Sequence, residues 1–161
     1  MTVTDITVND ILSGISKAVY DVFGTTVSIY KEKQDFVDLP AVCIYCLTYE
    51  RVMGRNDRFT NTYNVIINYF PEDNDIINNK RPEMFSQAQK IMDAIQYINL
   101  PAYQQDNEGK LVQTTLPSRA HDLNVEEQED HMKISATYVV RTRKHTETVK
   151  MTQLDLDVTN K

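Results

Sequence analysis

Residues 41–50 read AVCIYCLTYE, with Pro40 just before them and the chain's two cysteines, Cys43 and Cys46, inside. The run is short for a helix, rich in β-branched and aromatic residues, and opened by a proline. That combination predicts a strand covered on both faces. Side chains alternate along a strand, so cysteines three positions apart point to opposite sides. So placed, they can neither close a disulfide easily nor hold one metal ion. A redox CxxC needs a following helix to lower the thiol pKa, and no helical pattern follows. A zinc site needs further ligands, and there is no second CxxC and no HxxxH. Both thiols are therefore expected to be reduced and structural.

Upstream, residues 6–24 read ITVNDILSGISKAVYDVFG, in which Ile11, Ile15, Val19 and Val22 recur at helical spacing and Leu12 and Phe23 widen the stripe. Thr7 and Asp10 have the spacing of a capping box, and Gly24 suits the helix end. Gly14 costs roughly 1 kcal/mol inside a helix, which points to a close neighbour over it. TTVSIYKE then alternates as a short strand.

Downstream, RVMGRNDR (51–58) reads as a long polar loop that places Arg51, Arg55 and Arg58 around Gly54. FTNTYNVIINYF (59–70) is the strongest strand pattern and is expected to pair antiparallel with residues 41–49 through that loop. After a linker, EMFSQAQKIMDAIQYI carries a helical stripe of Met84, Ala88, Ile91, Ile95 and Ile98 with Met92 beside it, the methionines reading as core filler. From Leu100 the β pattern returns. KLVQTT and SRAHDLNVEEQ read as separate strands, and HMKISATYVVRTRK places Met132, Ile134, Ala136, Tyr138 and Val140 on one side. The order predicts an α+β fold, a single domain with a mainly antiparallel β-sheet covered by two α-helices. Residues 1–145 form this domain. Residues 146–161 form an extended C-terminal arm whose Leu154, Leu156 and Val158 share one face if extended, as pairing with a neighbour's sheet edge requires.

The 161 residues are 41% hydrophobic and 25% charged, enough for one core without disulfide or metal support. There are 17 Lys plus Arg against 23 Asp plus Glu, a balance that disfavours a general nucleic-acid binder. No run is long and apolar enough to cross a bilayer, and MTVTDITVND lacks the regions of a signal peptide, so the expected setting is cytoplasmic. With 4 glycines, none grouped, there is no phosphate loop, and no G-x-S-x-G elbow occurs. His121 and Asp122 are adjacent in a strand pattern and face apart, which argues against a hydrolase or nuclease site. Arg141 and Arg143 share a strand face that Lys144 extends, a patch able to touch a passing phosphate backbone but not to read sequence. Neither an enzyme nor any cofactor is expected.

The helix at 6–24, LPAVCIYCL, GRNDRFTNTYNVIINYFP and SRAHDLNVEEQEDHMKISATYVV together resemble the phage tail terminator family of Gram-positive phages and prophages, the strand ending in YFP and the late RAHDLN strand carrying most of the similarity. The resemblance spans residues 6 to about 143. It implies an assembly protein in the form of a ring, usually a hexamer, that caps the finished tail tube, stops further tube-protein addition and offers a surface to the head connector or neck protein. Implied partners are other copies of the chain, the tail tube protein, and a sheath protein where the tail contracts, with no membrane. The genome passes through the ring without being read. Assembly would take place in the host cytoplasm, leaving the protein at the head-proximal end of the virion tail. A head-tail joining or tail tube protein is the alternative. The partner-contacting candidates are Arg51, Arg55, Arg58, Arg141, Arg143, Lys144, Leu154, Leu156 and Val158.

Overall fold

The stripe near the N-terminus folds as its spacing demands. In the computed structural model, which describes residues 6–32, 38–72 and 81–143, helix α1 (Val8–Phe23) buries Ile11, Leu12, Ile15 and Val19. Val22, expected in that stripe, is exposed. The capping box is formed: Asp10 N–H donates to Thr7 Oγ1 at 3.2 Å, and Thr7 N–H donates to Asp10 Oδ2 at 2.9 Å, satisfying two end groups that the helix itself cannot. The neighbour over Gly14 is the strand at Ile98 and Asn99, since a Cβ at position 14 would lie 3.1 Å from the Asn99 carbonyl oxygen.

Six strands form one mixed sheet. They are β1 (Ser28–Tyr30), β2 (Ala41–Met53), β3 (Arg58–Phe70), β4 (Tyr97–Gln105), β5 (Leu111–Glu127) and β6 (Met132–Arg143), in the order β1-β2-β3-β6-β5-β4. All pairs are antiparallel except β1 with β2. Helix α2 (Arg81–Ile95) buries Met84, Ala88, Ile91 and Ile95, and both helices pack on the same sheet. This is the expected α+β single domain, with more strand in it than the sequence suggested.

Register assigns the faces. The helix side carries Val42 and Ile44 of β2, Tyr63, Val65, Ile67 and Tyr69 of β3, and Met132, Ile134, Ala136, Tyr138 and Val140 of β6, all buried. Tyr63 Oη donates to the Ile6 carbonyl at 3.1 Å and Tyr138 Oη to the Ile95 carbonyl at 2.5 Å, so each large ring enters the core without leaving its hydroxyl unpaired. Cys46 pairs with Val65 on the helix side and Cys43 with Asn68 on the other, opposite faces as alternation requires.

Four expectations are corrected. The run 51–58 is mostly strand: β2 continues to Met53 and β3 starts at Arg58, leaving only residues 54–57 as the turn. Residues 41–50 are covered on both faces only as far as Ile44, and those from Leu47 are exposed. Ile98 belongs to β4, because α2 ends at Ile95. KLVQTT and SRAHDLNVEEQ are one strand, β5, whose first half pairs with β4 and whose second half pairs with β6. Lys144, Leu154, Leu156 and Val158, with the boundary expected between 145 and 146, lie outside the described residues.

Candidate functional site

The last half of β2 and the first half of β3 carry the exposed basic and apolar side chains. In β2, residues 47–53 are all exposed, Leu47 at 61% and Met53 at 77%. Where β1 pairs with β2 it reaches only residues 41–43, so among the described residues the outer edge of β2 beyond Cys43 has no strand beside it. The turn closes tightly, Gly54 N–H donating to the Arg58 carbonyl at 2.7 Å. Asn56 and Asp57 both sit at φ 58°, the left-handed region that their short polar side chains tolerate better than most.

At the root of this projection stands Asn61, fully buried on the helix side. Its Oδ1 accepts from Tyr49 Oη and from Arg51 Nε, each at 2.8 Å. Its Nδ2 donates to the Val140 carbonyl at 3.1 Å and to Thr142 Oγ1 at 2.8 Å. The amide's bonding capacity is thereby filled, which makes a buried polar residue rigid rather than costly. The guanidinium of Arg51 lies 4.9 Å over the Phe59 ring and 6.0 Å from that of Tyr49, and Tyr49 is stacked at 4.9 Å on Tyr63. Arg51 is therefore a fixed side chain on a strand, not part of a mobile loop.

Arg58 and Arg143 are direct cross-strand partners, and Thr60 faces Arg141 in the next pair on the same side. The structure thus brings Arg58, Arg141 and Arg143 together on the helix-free face, Arg55 at the turn, and Arg51 on the opposite face. Among the described residues no ion pair engages any of the five. Like charges directly opposite one another destabilise a sheet, so this cluster suits an anionic partner group.

At the far end of the same sheet the charge reverses. Glu126 lies on the helix-free side of β5 near its end, and Glu129 and Asp130 occupy the β5–β6 turn. There Asp130 Oδ1 lies 2.6 Å from His131 Nδ1, and His131 stacks on Phe70 at 4.8 Å. A hollow of about 250 Å³ opens beside them, lined by Tyr45, Asn68, Phe70, His131 and Lys133. The Asn68 Oδ1 atom is buried without a hydrogen-bond partner.

For acid/base or nucleophilic chemistry the arrangement supplies little. His121 and Asp122 are both exposed, and the β5 register slips between Ala120 and Asp122. Burial pushes the Cys46 thiol up, so it stays protonated and unreactive. Among the described residues no three metal-ligating side chains come together, and no helix is long and apolar enough to cross a membrane. The residues that sequence reasoning missed are Asn61 and Asn68. Each interrupts apolar β3, and a polar residue in such a strand is the signal that could have found them.

No curated protein matches the chain. A family model described as phage tail terminator protein matches residues 10–150, which takes in all six strands, both charged ends and all but the first two residues of the helices, and the chain accordingly belongs to the phage tail terminator protein family.

Proposed function

We propose that this chain closes into a ring, hexameric as the family resemblance implies, at the head-proximal end of the tail. There it caps the tail tube, stops addition of tube protein and joins the tube to the head connector or neck protein. The observation that carries this reading is the family match over residues 10–150, which makes the protein a structural component of a phage tail whose partners are other tail or head components. The fold is suited to the task. A ring of identical subunits uses heterologous contacts, so each subunit must present two different complementary surfaces, and this sheet has a basic end and an acidic one.

In this reading residues 1–145 are the ring-forming domain, and Arg51, Arg55, Arg58, Arg141, Arg143 and Lys144 meet carboxylates of a partner. Residues 146–161 are an arm that lays Leu154, Leu156 and Val158 along a neighbour's sheet edge. The genome passes through the ring, and a sheath protein joins the partners where the tail contracts. Assembly occurs in the host cytoplasm. Native mass spectrometry of the full chain, alone and with tail tubes, tests the reading. Closed rings are expected, and tubes grown with the protein should stop at normal length. A strict monomer under both conditions overturns it, and open-ended polymers would mark a tube protein instead.

A further inference from the structure

The hollow on the helix-free face has properties that the ring reading does not use. At about 250 Å³ it is smaller than the roughly 300–1,000 Å³ typical of small-molecule sites. Its buried acceptor, Asn68 Oδ1, has no partner, and a buried polar atom left unpaired costs free energy until a donor arrives. Its walls include the rings of Tyr45, Phe70 and His131, faces on which a guanidinium stacks well. Asp130 pairs through Oδ1 with His131 of the lining. Its other oxygen carries no hydrogen bond among the described residues. Lys133 also lines the hollow, with Glu126 of β5 as its cross-strand neighbour on the same face. The hollow thus offers aromatic faces and one unpaired acceptor to an incoming donor.

We infer that this hollow receives Arg55 from the β2–β3 turn of a second copy of this chain. The inference rests on the ring reading for the closure of such contacts, but not for the contact itself. Arg55 is exposed at the tip of the projecting hairpin and has no ion pair among the described residues. It cannot enter its own hollow, because Arg58 and Asn68 lie at opposite ends of β3, roughly 33 Å apart at about 3.3 Å per residue. The basic end of one subunit and the acidic end of the next are complementary in sign, and exposed Val52 and Met53 beside the turn give the contact the apolar, methionine- and arginine-rich character of an interface.

Native mass spectrometry and sedimentation of the full chain test this, with circular dichroism melting as the folding control. Arg55→Glu and Asp130→Lys should each raise the subunit dissociation constant about tenfold or more, a change of about 1.4 kcal/mol or above. Carried together in one chain they should restore assembly, because every contact then pairs the reversed charges. Asn68→Leu, which removes the unpaired acceptor and fills the hollow, should weaken assembly without lowering the melting temperature. Rings formed by all three single variants with wild-type affinity would overturn the inference and leave the ring reading standing. So would intact rings of Arg55→Glu that fail to cap tubes, since the turn would then face the tube protein. Open chains of wild-type protein that the same variants dissolve would support the inference and overturn the ring.

Discussion

The β2–β3 ladder is two structures in one pair of strands. Over residues 41–44 and 65–69 every side chain is buried, and α1 lies against this part of the sheet. Over residues 47–53 and 58–60 none is, although the ladder of hydrogen bonds continues without a break in β3. The covered half holds the domain together by removing apolar surface from water. The projecting half is held by its register and by one buried amide, Asn61. Fold and interface are thus separable along a single hairpin, and substitutions should sort by which half they touch.

The largest effect is expected in the covered half. Ile67 is fully buried on the helix side, and Ile67→Ala should lower unfolding free energy by about 2–5 kcal/mol through lost transfer energy and a residual cavity, measured by urea denaturation. A loss equally large from Val52→Ala, which is 56% exposed, would erase the distinction between the halves.

At the boundary, Asn61→Ala should cost about 1–3 kcal/mol, because it leaves the Val140 carbonyl and Thr142 hydroxyl without their donor. Its second effect sharpens the comparison. Tyr49 and Arg51 lose their shared acceptor, so amide exchange should accelerate in residues 49–53 while remaining slow in 41–44. Uniform acceleration along β2 would mean that the two halves open as one unit.

Tyr63 lies where the halves meet. Its hydroxyl is pushed up to about 12, first by burial and then by the neighbouring Tyr49, and burial raises Tyr138 as well. Because the folded value lies above the ordinary 10.0, the neutral phenol is the form that the fold favours. The stability it contributes is complete below about pH 10 and is lost as the pH rises through about 12. Denaturation midpoints should therefore hold up to mildly alkaline pH and fall in that window, and Tyr63→Phe should reduce the fall. An identical fall in the variant would assign the alkaline transition elsewhere.

The legible parts of this molecule were those written in local periodicity. The α1 stripe, the Thr7–Asp10 box, the opposed cysteines and the β6 alternation all follow from spacing within a dozen or so residues. What escaped depends on neighbours far along the chain. Residues 51–58 look like a loop because the projecting ladder needs no apolar face, so its strands carry arginines where a core strand would carry valine. β5 looks like two strands because Pro117, which lacks an N–H, reads as a break, and nothing local reveals that the strand serves β4 and β6 in turn. At the candidate site the five arginines could be found by composition. Their grouping could not, since Arg58 meets Arg143 only through the β3–β6 register.

That register sets the smallest effect. Arg58 and Arg143 face each other on an exposed surface without a carboxylate between them among the described residues, and such pairs contribute roughly 0.2–1 kcal/mol in the unfavourable sense. Arg58→Thr removes the repulsion and supplies a β-branched residue suited to a strand. The free subunit should gain at most about 1 kcal/mol at low salt, read from denaturation midpoints, and the gain should shrink towards about 1 M salt as the screening length falls from about 10 Å to about 3 Å. Arg143→Thr should do the same, and the double variant should add little, because the first change already abolishes the shared term. In the assembled tail the sign should reverse, since a partner's carboxylates would lose a cation. If Arg58→Thr instead destabilises the free subunit at every salt concentration, packing of the arginine stem outweighs its charge, and the projecting half is an ordinary strand end rather than a surface held in wait for an anionic partner.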